Sequence, residues 1–202
     1  MDVVEAGRNL ELIRSLMERT TQFQLLTARA GLAAGCLAGA GAVSFLALDA
    51  ADPWQFGGVW AAVFAGSVLA LLVTAWLRAR ESGQHFWTRP ARAVVLALAP
   101  SVFAALVLSV FFFARGQHLW LPGVWMLCYG QGALATAAYA PAPIRGLGLA
   151  TLGLGTLTLA LGPDWAVPMM GLGFGAGHIG LGVALLIFER RRTGLRLYRE
   201  VA

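Results

Sequence analysis

The sequence predicts an all-α polytopic membrane protein: a bundle of six transmembrane helices led in by an amphipathic cytoplasmic helix. Three observations carry this. The 202-residue chain is 58% hydrophobic and only 12% charged, where a soluble domain carries about 25% charged residues. Its mean hydropathy is +0.71. Its apolar residues are gathered into stretches of about 20, the length a helix needs to cross a hydrocarbon core.

Composition also excludes. The basic residues are all arginine, which rules out a retinal-type Schiff base and a lysine nucleophile. A pI near 10.2 commonly points to nucleic acid, but here the arginines fall in connectors between apolar stretches, so topology accounts for them and no nucleic-acid partner is expected. Cys36 and Cys128 lie inside apolar stretches and form no Cys-x-x-Cys. They read as small buried hydrophobes, not as a disulfide or zinc site.

Residues 1–29 form the lead. Leu10, Ile13, Leu16, Met17 and Thr20 recur at spacings of three and four. Glu11 and Glu18 flank Arg14 on the other face. This is the pattern of a helix lying on a membrane surface or against a protein partner. Its charged length does not suit a signal peptide.

The bundle occupies residues 30–188, as three hairpins at about 30–77, 93–140 and 144–188. Span one, about 30–48, carries Gly31, Gly35 and Gly39 at small-xxx-small spacing. Asp49 to Trp54 turns the chain into span two, about 57–77, which ends in Arg78 and Arg80. Span three, about 93–114, contains Pro100, which removes one backbone bond and favours a kink. Arg115 to His118 is a tight turn. Span four, about 119–140, is stopped by Pro141 and Pro143. Span five is about 144–161, Gly162 to Trp165 turns again, and span six is about 168–188. Residues 189–202 form a basic cytoplasmic tail. Each hairpin has a tryptophan at its turn, which hints at a parallel repeat.

Six spans put both termini on one side. Every arginine but Arg115 then falls on that side, which the positive-inside rule makes the cytoplasm of a bacterial inner membrane. Trp54, Trp60, Trp120, Trp125 and Trp165 gather near the opposite turns and read as interfacial anchors.

Span six holds the densest signal. From Gly171 to Gly182 it carries six glycines and one ionisable side chain, His178. In water each glycine costs a helix about 1 kcal/mol relative to alanine. In lipid the helix is enforced by the cost of unpaired amides, and glycine instead admits a neighbouring backbone. Gly171 with Gly175, and Gly173 with Gly177, are helix-packing pairs on this reading. An ionisable group at mid-depth marks a functional site or an interhelical lock. Counting about 1.5 Å per residue, His178 shares its depth with Gln131, Tyr129, Ser67 and Ser101, which makes one midplane polar cluster possible. No Asp, Glu or Arg lies deep in a span, which argues against an ion-coupled pump. His85 and His118 lie at other depths, so a bis-histidine haem is disfavoured. No nucleophile elbow, His-Glu-x-x-His or phosphate loop is present. No cofactor, metal or catalytic residue is expected.

Two stretches carry a resemblance. Ile13-Arg-Ser-Leu-Met-Glu-Arg-Thr-Thr21 before span one, with Gly173-Phe-Gly-Ala-Gly-His-Ile179 in span six, is similar to a group of uncharacterised bacterial six-span inner-membrane proteins, over nearly the whole chain. The last hairpin, about 146–188, resembles the hairpin unit of the acid-resistance (HdeD-like) membrane protein family. Neither resemblance implies an activity or a catalytic residue. The sequence therefore leaves two functions: a non-catalytic membrane protein acting through protein partners or homo-oligomerisation, or a channel or facilitator for a small solute, lined by His178 and Gln131.

Overall fold

The computed structural model describes residues 27–83 and 85–201, with side chains described as far as residue 190 except at 189. Most of the predicted lead, and the arginine side chains of the tail beyond Arg190, lie outside the described residues. All regular structure among them is helical: α1 (Ala28–Ser44), α2 (Pro53–Glu81), α3 (Arg89–Ala114), α4 (Leu121–Ala135), α5 (Pro143–Leu161), α6 (Ala166–Met170), a π-helical segment (Gly171–Ala176) and α7 (Gly177–Val201). Four helical stretches are long and apolar enough to cross a membrane: Pro53–Glu81, Arg89–Ala114, Pro143–Leu161 and the composite Pro163–Phe188.

Two predicted spans are shorter than expected. α1 has 17 residues and α4 has 15, about 26 Å and 23 Å of helix. α1 stops at Ser44, whose hydroxyl turns back to the Gly41 carbonyl. α4 is entered through a 3₁₀ turn, His118–Trp120, and gives way after Ala135 to turns from Thr136 to Tyr139. The last span is not one uniform helix either. Its π segment divides it, and α7 continues without a break into the predicted tail.

Helix starts follow local chemistry. Thr27 and Thr88 cap α1 and α3 by accepting from the amides of Ala30 and Ala91. Asp52 caps α2, accepting from the amides of Trp54 (2.8 Å) and Gln55 (3.3 Å), with Pro53 at the first helical position. The protein thereby holds the Asp52 carboxyl below the usual carboxylate range, first through the Trp54 amide bond.

Glycine decides the packing. A Cβ on Gly35 would lie 2.6 Å from the Ile179 backbone nitrogen, and one on Gly182 2.9 Å from that of Leu32. α1 and the last helix thus run backbone against backbone. A second seam joins α4 to α5, where a Cβ on Gly130 would meet the Gly148 carbonyl at 2.8 Å and one on Gly155 the Gly123 carbonyl at 2.9 Å. Both seams join helices of different predicted hairpins. The two predicted glycine pairs of the last span serve different neighbours: Gly171 and Gly175 face Ala42 and Gly39 of α1, while Gly173 and Gly177 face Met126 of α4 and Leu147 of α5.

The other helices form an outer layer. α2 rests on α1 and α3 on α4, with little direct contact between α2 and α3. α3 fully buries only Ala91. Phe64, Phe103 and Val110 are 60%, 70% and 72% exposed, a surface that suits hydrocarbon and not water.

At the end carrying the 45–52, 115–117 and 162–165 connectors, Phe45, Phe56, Trp60, Phe113 and Trp125 pack together. His118 lies against Phe56 and Phe113, and its Nε2–H donates to the Ala50 carbonyl at 3.1 Å, tying two connectors. Two sequence expectations change here. Trp60 is only 4% exposed and belongs to this cluster, so it is not a surface anchor, whereas Trp54 and Trp165 are exposed; Trp120 and Trp125 are half-buried. Cys36 faces outward, and only Cys128 is buried. Both follow from which face of the helix meets a neighbour, which a sequence stretch apolar all round does not encode.

Candidate functional site: a lateral cleft ending at Tyr129 and His178

His178 stands two residues into α7, just past the π segment. In that segment the backbone ladder slips, and the Gly177 amide bonds the Leu172 carbonyl five residues back. Single π turns of this kind are rare and recur at functional sites. The His178 ring makes two hydrogen bonds. Its Nδ1 lies 2.9 Å from the Phe174 carbonyl, and its Nε2 lies 2.8 Å from the Tyr129 hydroxyl. A carbonyl only accepts, so Nδ1 carries the proton. For the neutral ring, Nε2 is then the acceptor and Tyr129 the donor. Phe174 closes the group, edge-on to Tyr129 at 5.4 Å and stacked with His178 at 6.0 Å.

This pair stands on the wall of a cavity of about 390 Å³, within the range of small-molecule sites. Apart from the polar groups described below, its walls are largely hydrocarbon. Phe64 on α2 and Val102 and Leu106 on α3 line it while being largely exposed themselves. The cavity therefore opens sideways, between the two helices that scarcely touch. Toward the Trp-rich end Phe113 lies over Gly57, a Cβ on which would meet the ring at 3.0 Å, and both line the cavity.

Four of the five residues placed at one depth by the sequence line this cleft: His178, Tyr129, Ser67 and Ser101. Gln131 does not. It is exposed on the outer side of α4, two residues and about 200° around the helix from Tyr129. Depth alone placed it with His178, and helical phase separates them. Sequence reasoning missed Trp60, Ser109 and Trp125, which also line the cleft. The Trp125 indole donates to Ser109 at 2.8 Å. Their spacing along α3 and α4 gave no sign of meeting.

The hydroxyls differ in a telling way. Ser44, Thr74, Ser82, Ser109, Thr136, Thr151, Thr156 and Thr158 all donate to a carbonyl three or four residues back, and Thr27 and Thr88 cap helices. Among the serines and threonines whose side chains are described, only Ser67 and Ser101 have hydroxyls engaged in neither way, and both line the cleft. The described residues contain no group of three or more potential metal ligands.

Fold and site together define a class: a helical protein with four helices long and apolar enough to span a membrane, and a side-opening cleft with a polar wall. Comparison with protein-family models, with curated proteins and with solved structures returned no match.

Proposed function

We propose that the chain is a six-span protein of the bacterial inner membrane that binds a small lipophilic molecule drawn laterally from the bilayer. The observation that carries this is the cleft: it opens sideways between α2 and α3 and brings His178, Tyr129, Ser67 and Ser101 together. An entrance walled by Phe64, Val102 and Leu106 favours an apolar molecule over a hydrated solute. For this reason we favour binding from lipid over a channel for a hydrated solute. Action through oligomerisation draws less support, because the glycine faces that suited it are taken up inside the bundle.

Six crossings are supported by the short helices as well as the long ones. α1 is extended by the turns from Phe45 to Leu48, and α4 by the 3₁₀ turn before it and the turns after it. Such short spans are accommodated by local thinning of the bilayer at modest cost. With six crossings, the arginine-poor, Trp-rich end faces outward and both termini face the cytoplasm.

The test fills the cleft. Ala105→Phe adds a ring on its α3 wall and leaves both glycine seams untouched. Purified protein in lipid nanodiscs should bind an environment-sensitive lipophilic fluorophore saturably. The variant, with an unchanged helical spectrum, should lose most of that binding. Equal saturable binding by both proteins, or no saturable binding by the wild type, refutes the reading.

A further inference from the structure

The hydrogen-bond direction at the cleft wall selects the ligand's head group. This rests on the lateral-cleft reading above. The Phe174 carbonyl fixes the proton on His178 Nδ1, so neutral His178 Nε2 takes the Tyr129 proton. The Tyr129 oxygen, its one proton committed, has only lone pairs left to offer. A ligand group meeting it must donate. Ser67 and Ser101, engaged neither by a carbonyl of their own helices nor in a cap, can both donate and accept.

We infer that the cleft takes a hydroxyl-bearing lipophile, a long-chain phenol or alcohol, whose O–H donates to the Tyr129 oxygen while its apolar body lies between α2 and α3. A hydroxyl is donor and acceptor at once, so it satisfies both Tyr129 and a serine. A ketone or ether satisfies only the serines.

A matched pair of probes tests this: a 4-alkylphenol and its methyl ether, each competed against the fluorophore in nanodiscs. The phenol should displace it about tenfold better, the worth of one buried hydrogen bond near the upper end of its usual range. The double variant Tyr129→Phe with His178→Leu removes the acceptor and leaves neither partner orphaned. It should bring the phenol down to the ether's affinity and leave the ether unchanged. Equal displacement by phenol and ether in the wild type overturns the head-group inference while the cleft stands. A preference that survives the double variant also overturns it. Failure of both probes to displace the fluorophore overturns the lateral-cleft reading beneath it.

Discussion

His178 and Tyr129 are worth most to each other. Removing one leaves the other's polar atom buried beside hydrocarbon, and removing both with apolar replacements of similar shape is nearly neutral. His178→Leu should therefore lower stability by about 1–2 kcal/mol, read as an earlier midpoint in a denaturing-detergent titration. Adding Tyr129→Phe to a His178→Leu chain should recover most of the loss. Additive losses would mean that the two residues act separately. Asp52 gives a second prediction at this scale, outside the spanning segments. Its folded pKa is lowered by the amides of the α2 N-terminus. The contribution is present above the ordinary carboxylate value of about 3.9 and is lost as pH falls through the lower, folded one. Between pH 6 and pH 3, wild-type protein should lose thermal stability relative to Asp52→Asn, whose amide oxygen still caps the helix without titrating. Parallel curves would show that the cap carries no charge dependence.

At the scale of elements, alternation of glycine in the last span has a geometric cause. Positions two apart lie about 200° apart on a helix. Gly171 and Gly175 therefore serve α1 while Gly173 and Gly177 serve α4 and α5, and a helix threaded between two neighbours needs small residues on both sides. The α1 seam tolerates nothing larger at Gly35, where a Cβ meets backbone at 2.6 Å. Gly35→Ala should cost about 1–3 kcal/mol as overpacking. Gly153→Ala, with nothing within 4 Å of its Cβ, should stay within about 0.5 kcal/mol of wild type. Comparing the two unfolding midpoints checks the seam, since a general effect of replacing helical glycines would move both alike.

At the scale of the whole molecule, the outer layer is loosely joined where α2 and α3 face each other, and the inner helices are locked by glycine. On the proposed lateral-binding reading, that division places the cleft where a molecule in the bilayer would reach it without opening the bundle. The proposed six-span topology makes its own prediction. With Cys36 and Cys128 replaced by alanine, single cysteines at residues 2 and 200 should react only with a membrane-permeant thiol reagent, and one at Gly116 also with an impermeant one. Labelling of the two ends from opposite faces would mean an odd number of crossings.

The sequence by itself determined the helical class and the long apolar stretches, because hydropathy and length are local properties fixed by the solvent each residue can tolerate. It also placed His178, Tyr129, Ser67 and Ser101 at a shared depth, because depth is a count along the chain, whereas the caps at Thr27, Asp52 and Thr88 came only with the structure. The tertiary structure alone decided which faces meet. It turned Gln131 outward, drew Trp60 into the aromatic cluster, set the glycine seams across the predicted hairpins and broke the last span with a π turn. These are matters of rotation about a helix axis. Where a helix is apolar all round, no hydrophobic stripe records its phase, so only the packed neighbours fix it.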